Sequence, residues 1–148
     1  MTLGHLAASA APRVRMIDVP VMSQAIRKLG VPLSLVVTAD GLVFVSGIPP
    51  IDIATGELID GDIARQCEAS MIALKACLSA AGAAVETIVS LKIYASNAGH
   101  YGTINEVYRR HFDTHFPART FVPVGSWPGG FDIEIECIAV KSEEVFGQ

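Results

Sequence analysis

Charge, aromatic rings and long apolar runs are all scarce in this chain. Charged residues make up 18% of its 148 residues and aromatic residues 7%, and the formal net charge is −4. No apolar run reaches the roughly 18 residues that a membrane-spanning helix needs. An acidic chain has no general attraction to nucleic acid or to an anionic membrane surface. We therefore expect no nucleic-acid partner and no membrane partner.

Cysteine and histidine are also too few, and wrongly spaced, to build a metal site. Cys67, Cys77 and Cys137 lack metal-ligand spacing, and each lies among apolar residues. This setting predicts reduced, buried thiols in a cytoplasmic protein. The four histidines show no zinc-ligand spacing either. We expect neither a metal nor an organic cofactor.

The chain has the length and composition of one compact domain. Hydrophobic residues make up 51% of it, which is enough for a sizeable core. The first fifteen residues are rich in alanine, and Arg13 and Arg15 follow the apolar stretch, whereas a secretory signal carries its charges before that stretch. The sequence predicts an N-terminal extension over residues 1–15 and a single domain over residues 16–148.

The hydrophobic pattern alternates between strand and helix periods. Asp40-Gly41 separates two β-branched runs and predicts a hairpin, while residues 19–30 before it indicate an arm or a short helical turn. Apolar spacings of three and four predict a helix over residues 62–82. A strand (86–96), a second helix (98–115) and two final strands (116–124 and 132–139) follow. The order ββαβαββ predicts an α+β fold, with two helices on one face of a mixed sheet.

The predicted strands carry more apolar positions than one covered face can absorb. Val36, Val43, Val45, Leu91 and Ile93 are examples. An uncovered apolar face is typical of an interaction surface. The sequence therefore indicates that the second face of the sheet packs against a partner.

Several short motifs follow one another along the chain. They are Gly-Leu-Val-Phe-Val-Ser-Gly at 41–47, Ala-Thr-Gly-Glu-Leu at 54–58, Asn-Glu-Val-Tyr at 105–108, Phe-Pro-Ala-Arg-Thr at 116–120 and Ile-Glu-Ile-Glu-Cys-Ile-Ala at 133–139. In this order they resemble the RidA family, also called YjgF/YER057c/UK114, over residues 19–141. The resemblance implies a homotrimer with clefts between its subunits and a small carboxylate as substrate.

Two residues of these motifs are the candidate catalytic residues. An isolated arginine is usually a surface charge, but Arg119 matches the arginine with which the family binds substrate. Its planar fork of donors suits both oxygens of a carboxylate, which a lysine does not match. Glu134 and Glu136 alternate with apolar residues and alone would indicate an exposed face. The resemblance places the general acid/base at Glu134 and leaves Glu136 a structural role. If their strands are adjacent, we expect Arg119 and Glu134 to converge on one cleft.

The resemblance also suggests residues that line the substrate pocket, although each has an ordinary structural interpretation. They are Leu33, Ser46, Gly47, Asn105, Phe121 and Trp127. Leu33 and Leu35 stand where typical members have a tyrosine and a glutamine. We therefore expect a more apolar pocket that prefers substrates with bulky apolar side chains.

Three functions remain open at this stage. The first is that of a 2-iminobutanoate/2-iminopropanoate deaminase-like hydrolase, which converts 2-imino acids or 2-aminoacrylate-type enamines to 2-oxo acids and ammonia. The second is a non-catalytic trimer that binds small carboxylates. The third is an endoribonuclease or translation-inhibitor activity, against which the acidic composition and the lack of a basic stripe with interleaved aromatics weigh.

Overall fold

A computed structural model describes residues 13–142 of the chain. It contains six strands and three α-helices, and short 3₁₀ turns at Val85–Thr87 and Ala98–His100 precede the fourth strand and the third helix. In chain order the elements are β1 (Val14–Ile17), α1 (Met22–Leu29), β2 (Val36–Ala39), β3 (Leu42–Ile48), α2 (Ile63–Ala80), β4 (Ile88–Ala95), α3 (Tyr101–Arg109), β5 (Ala118–Pro123) and β6 (Ile133–Val140).

The strands form one mixed sheet in the order β1-β2-β3-β6-β4-β5. Only β4 and β5 are parallel. From β2 to β6 the predicted order ββαβαββ is confirmed, and so is the α+β class. The structure adds β1 and α1, where the sequence indicated only an arm or a helical turn. β1 begins at Val14, before the expected start of the domain at Met16, and residues 1–12 of the expected extension lie outside the described part.

Local sequence signals explain the hairpin and the long helix. Asp40 and Gly41 have φ angles of 49° and 83°, which is the pair of positive values that a type I′ turn requires. The Asp62 carboxylate accepts a hydrogen bond from the Arg65 backbone N–H at 2.8 Å and caps α2. Both predictions are confirmed.

The core lies between one face of the sheet and the helices. Every second residue of the inner strands is buried there, and Met71, Leu74 and Leu78 of α2 complete it. The three cysteines are free and buried as predicted. The pKa of each thiol is raised to about 12, and burial is the largest cause. The thiols therefore stay protonated at neutral pH. No helix within residues 13–142 is long and apolar enough to cross a membrane.

The two final strands are not adjacent, so that expectation is wrong. β4 lies between them, and its Leu91 pairs with Arg119 on one side and with Cys137 on the other. The helix α3 forms a crossover connection that brings β5 beside β4 as its parallel neighbour. β6 then pairs with the opposite edge of β4.

The second face of the sheet, which we call the open face, carries an apolar grid. The strand register aligns its side chains in two rows, each of which runs across β1, β2, β3 and β6. The rows are Val14, Ala39, Leu42 and Val140, and Met16, Val37, Phe44 and Ile138. Met16 is 69% exposed and Phe44 39%. Further along β6 and β4 the same face becomes polar, with Glu134, Glu136 and Tyr94. The sheet therefore has an apolar second face as the sequence indicated, but other residues form it. Val36, Val43, Val45, Leu91 and Ile93, on which the prediction was based, are all buried on the opposite face under the helices.

A buried amide joins three elements at one end of the sheet. The Gln66 side chain of α2 donates to the Gly61 carbonyl at 2.8 Å and to Asp132 Oδ2 at 3.1 Å, and it accepts from the Asp132 N–H at 2.8 Å. Ser96 Oγ, after β4, donates to Asp132 Oδ1 at 2.7 Å. Hydrogen bonds from Ser96 and Gln66 lower the pKa of Asp132. This network fixes where β6 begins.

Gln66→Leu should lower the free energy of unfolding by about 2–3 kcal/mol, because it leaves buried polar groups without partners. Chemical denaturation measures this loss. Gln24→Leu on the exposed side of α1 is the matched control and should change stability by less than about 0.5 kcal/mol. Equal stability losses in the two variants would contradict a structural role for the network.

Candidate active site

Arg119 lies on the helix-covered side of the sheet. It is paired with Leu91 in the parallel β4/β5 register, and Leu91 is buried under the helices. Paired residues on neighbouring strands point to the same side. The Arg119 Cζ atom lies 4.9 Å from the centre of the Tyr108 ring and 5.8 Å from that of Tyr101. Both distances suit cation–π interactions.

The helix α3 supplies the surroundings of this guanidinium. Tyr101, Asn105 and Tyr108 are spaced by four and three residues, so they share one helix face. The Tyr101 ring also meets Phe121 edge-on, with ring centres 5.0 Å apart. Sequence reasoning selected Asn105 and Phe121 but missed both tyrosines as neighbours of Arg119. Their helical spacing was the signal that could have revealed them.

A cavity of about 250 Å³ opens beside this group. Its lining consists of Asn105, Tyr108, Arg109, Phe116, Pro117 and Arg119. Within residues 13–142, Arg119 forms no ion pair, and the buried Asn105 Oδ1 and Tyr108 Oη atoms have no hydrogen-bond partner. Burial raises the pKa of Tyr108 to about 12 although the Arg119 charge opposes it. The cavity thus combines a permanent positive charge with polar groups that lack partners, which suits a small anionic ligand.

Glu134 lies on the open face. It alternates with the buried Ile133 and Ile135 and is opposite Tyr94 in the β4/β6 register. On its other side is Gly47 of β3, where an added Cβ would overlap Glu134 Oε2. A side chain at position 47 would therefore displace the Glu134 carboxylate from this position. Burial first, and the charge of Glu136 second, raise the pKa of Glu134 to about 7.

Two further polar side chains belong to this region, of which Tyr94 is opposite Glu134. Tyr94 Oη donates a hydrogen bond to Glu136 Oε1. This hydrogen bond first, and then burial and the charges of Glu136 and Glu134, raise the pKa of Tyr94 to about 12. Ser46 lies at the end of β3 beside Gly47, and its hydroxyl donates to the Ser34 carbonyl at 2.6 Å. Sequence reasoning missed Tyr94, because its pairing with β6 depends on register.

The structure divides the predicted site residues into two groups. Arg119, Asn105 and Phe121 lie on the helix-covered side, whereas Glu134 lies with Ser46 and Gly47 on the open face. The expectation that Arg119 and Glu134 converge on one cleft is wrong within a single chain. The two residues lie on strands separated by β4, and their side chains point to opposite faces.

Three further apolar residues were singled out from the sequence, and one of them, Leu35, is next to the open-face group, since its carbonyl accepts a hydrogen bond from the Ser46 N–H at 2.9 Å. Leu33 lines a cavity between β1 and α1. Trp127 packs on Phe131, with ring centres 5.1 Å apart, beside the turn before β6. Leu35 is only 4% exposed and belongs to the core. Neither Leu33 nor Leu35 of the same chain lines the cavity beside Arg119, and their place in a cleft between subunits stays a prediction.

The comparisons with known proteins agree on one family. The family model described as Endoribonuclease L-PSP matches residues 22–141. The protein DfrA of Myxococcus xanthus is 40% identical over 120 residues, which cover 80% of this chain and 91% of that protein. A Bos taurus protein named 2-iminobutanoate/2-iminopropanoate deaminase is 32% identical over 110 residues, which cover 74% of this chain and 80% of that protein.

A solved structure supports the same assignment. The crystal structure of E. coli TdcF with bound serine has a TM-score of 0.76 and 34% identity to this chain, and the match covers 86% of this chain and 99% of that one. The resemblance inferred from the motifs is confirmed, and the chain belongs to the endoribonuclease L-PSP family, which is the YjgF/RidA family.

Proposed function

We propose that this protein hydrolyses 2-imino acids, or the related 2-aminoacrylate-type enamines, to 2-oxo acids and ammonia. Arg119 binds the substrate carboxylate and Glu134 transfers the protons. One observation carries the proposal: the Arg119 guanidinium lies against two tyrosine rings, beside a cavity, with no ion-pair partner among residues 13–142.

The aromatic contacts favour a carboxylate as the ligand of Arg119. The rings of Tyr101 and Tyr108 contact the guanidinium of Arg119. The N–H donors along the planar edge of the guanidinium stay available to a ligand. That edge matches the two oxygens of a carboxylate with two parallel hydrogen bonds. Arginine also stays charged in partly buried surroundings, where a lysine loses its proton more readily.

Glu134 is suited to both directions of proton transfer. A pKa of about 7 keeps its protonated and ionised forms both populated at neutral pH, which is the optimum for a general acid/base. The acid protonates the imine nitrogen, and its carboxylate then takes a proton from the water that attacks the imine carbon. The same group returns that proton to the departing amine, the C–N bond breaks as the C=O bond forms, and the proton of the hydroxyl group passes back to the Glu134 carboxylate. The products are a 2-oxo acid and ammonia.

A complete site requires more than one copy of the chain in this account. Arg119 and Glu134 lie on opposite faces of the sheet, so the two can meet only where one subunit packs on another. The apolar grid on the open face provides a surface for such packing. The homotrimer that the family resemblance implies would place clefts between subunits, and we propose this assembly.

The cavity also bears on the side chain of the substrate. Phe116, Pro117 and the Tyr108 ring give the cavity beside Arg119 an apolar wall. Within one chain, the preference for bulky apolar side chains rests on these residues. Each well-buried methylene would add roughly 0.8 kcal/mol of binding free energy.

A second candidate function is small-carboxylate binding without turnover. The serine bound to E. coli TdcF favours it, because serine carries a carboxylate but no imine. The name of the Bos taurus relative favours hydrolysis. Both functions use Arg119 in the same way, so turnover is what separates them.

Arg119→Ala should cost on the order of 2–4 kcal/mol in ligand binding and lower turnover as well, because it removes a paired charge contact. Glu134→Gln should lower turnover by roughly 10²–10⁴-fold and leave binding intact. Release of 2-oxo acid from imines freshly generated by an amino-acid oxidase measures turnover. Calorimetry with 2-oxobutanoate measures binding.

Arg65→Ala, at an exposed position of α2, is the control and should behave as wild type in both measurements. Full turnover by Glu134→Gln would exclude Glu134 as the proton carrier. Unchanged binding by Arg119→Ala would exclude the carboxylate clamp. Tight binding without any turnover by the wild-type protein would select the second candidate function.

Phe44→Glu should dissociate the assembly, because it places a charge in the apolar grid. Light scattering at micromolar concentration should report a trimer for the wild-type protein and a smaller species for this variant. Ile72→Glu on the outer side of α2 is the control, since Ile72 is 41% exposed and Phe44 39%. A wild-type monomer would contradict the proposed assembly.

A further inference from the structure

Three polar side chains form a continuous group on the open face. Tyr94 of β4 is directly opposite Glu134 of β6, and its hydroxyl reaches diagonally to Glu136, the next residue of β6 on that face. Glu134 and Glu136 are i, i+2 neighbours on one strand, so their carboxylates share a face. The tyrosine therefore contacts one of two neighbouring carboxylates and faces the other.

The remaining neighbours add little charge around Glu134. On β3, Gly47 brings only its backbone against the carboxylate. On β4, Lys92 is opposite Glu136 and is exposed. On β5, Thr120 is paired with Lys92 and Val122 with Tyr94, and neither of these two β5 side chains titrates. Glu136 is thus the negative group that faces Glu134, Lys92 is the outlying positive group, and Tyr94 is neutral.

The hydrogen bond makes the two carboxylates inequivalent. Neighbouring carboxylates disfavour simultaneous ionisation, and a donor to one of them favours its ionised form. Glu136 accepts such a bond from Tyr94, whereas Glu134 accepts no hydrogen bond from any residue between 13 and 142. A single proton shared by the pair therefore belongs on Glu134.

We propose that Tyr94 and Glu136 are a positioning pair that keeps this proton on Glu134, so that Glu134 begins the reaction as a general acid. This inference rests on the proposed function, since it specifies the order of the proton transfers in that reaction. Neither Tyr94 nor Glu136 touches the reacting atoms. They act through the charge state of Glu134.

The order of steps follows from a protonated Glu134. Its proton first passes to the imine nitrogen, which makes the attached carbon more electrophilic. Water then adds to that carbon, the C=N π electrons move to nitrogen, and the Glu134 carboxylate takes the proton of the water. Without the charge of Glu136 a larger share of Glu134 would be ionised at neutral pH, and the neutral imine would more often meet water without a proton donor. The raised pKa of Glu134, caused by burial and by Glu136, agrees with this assignment.

Carbon-13 NMR titration of glutamate carboxyl groups tests the pair without any need for activity. The Glu134 signal is identified by its loss in Glu134→Gln. In Glu136→Gln the Glu134 midpoint should fall by roughly 0.5–1 pH unit, because the neighbouring negative charge is gone. In Tyr94→Phe the Glu134 midpoint should also fall. Glu86→Gln, an exposed site outside the group, should leave the Glu134 midpoint unchanged.

The pH dependence of kcat/KM gives the second measurement. A general acid is lost as the pH rises through its pKa, so the alkaline limb should move to lower pH in Tyr94→Phe and Glu136→Gln. The affinity for 2-oxobutanoate at Arg119 should not change. If neither variant shifts the titration midpoint of Glu134, Tyr94 and Glu136 do not keep the proton on Glu134 and the proposal is wrong. If the midpoints move but the wild-type protein hydrolyses no imine, the proton placement stands and the proposed function fails.

Discussion

The parallel pairing of β4 with β5 is the constraint on which the candidate site depends. It sets Arg119 beside Leu91, so the guanidinium points under α3 and not toward β6. Side chains alternate strictly between the two faces of a sheet, and the same register therefore sends Glu134 and Tyr94 to the open face. No rotamer change can bring Arg119 and Glu134 together within one chain, because the sheet itself lies between them.

Under the proposed function, this separation links catalysis to assembly. The open face is apolar where β1, β2, β3 and β6 cross it and polar where Glu134, Glu136 and Tyr94 lie. A second subunit seated on the apolar part would bury surface that is otherwise exposed to water. It would also bring groups of its own close to the acidic end. In this account each subunit supplies only part of every site.

The sequence predicted the elements whose signals are local. Asp40-Gly41 determines its own turn, and the spacing of apolar residues with an Asp62 cap defines α2. Period-two alternation predicted which side of β6 each residue occupies. Strand order could not be predicted in the same way, because alternation identifies a face but not a neighbour. β5 and β6 are consecutive in sequence, yet β4 separates them. The Tyr94–Glu136 hydrogen bond joins two strands diagonally, so it depends on a register that no single segment encodes.

Mixed assemblies of two inactive variants test the shared site most directly. Arg119→Ala chains retain Glu134, and Glu134→Gln chains retain Arg119. If every site combines residues from two subunits, equal mixing by co-expression leaves about a quarter of the sites with both residues intact. The account predicts about a quarter of wild-type 2-oxo acid release from the mixture. Turnover no higher than that of the two separate variants would contradict a site shared between subunits.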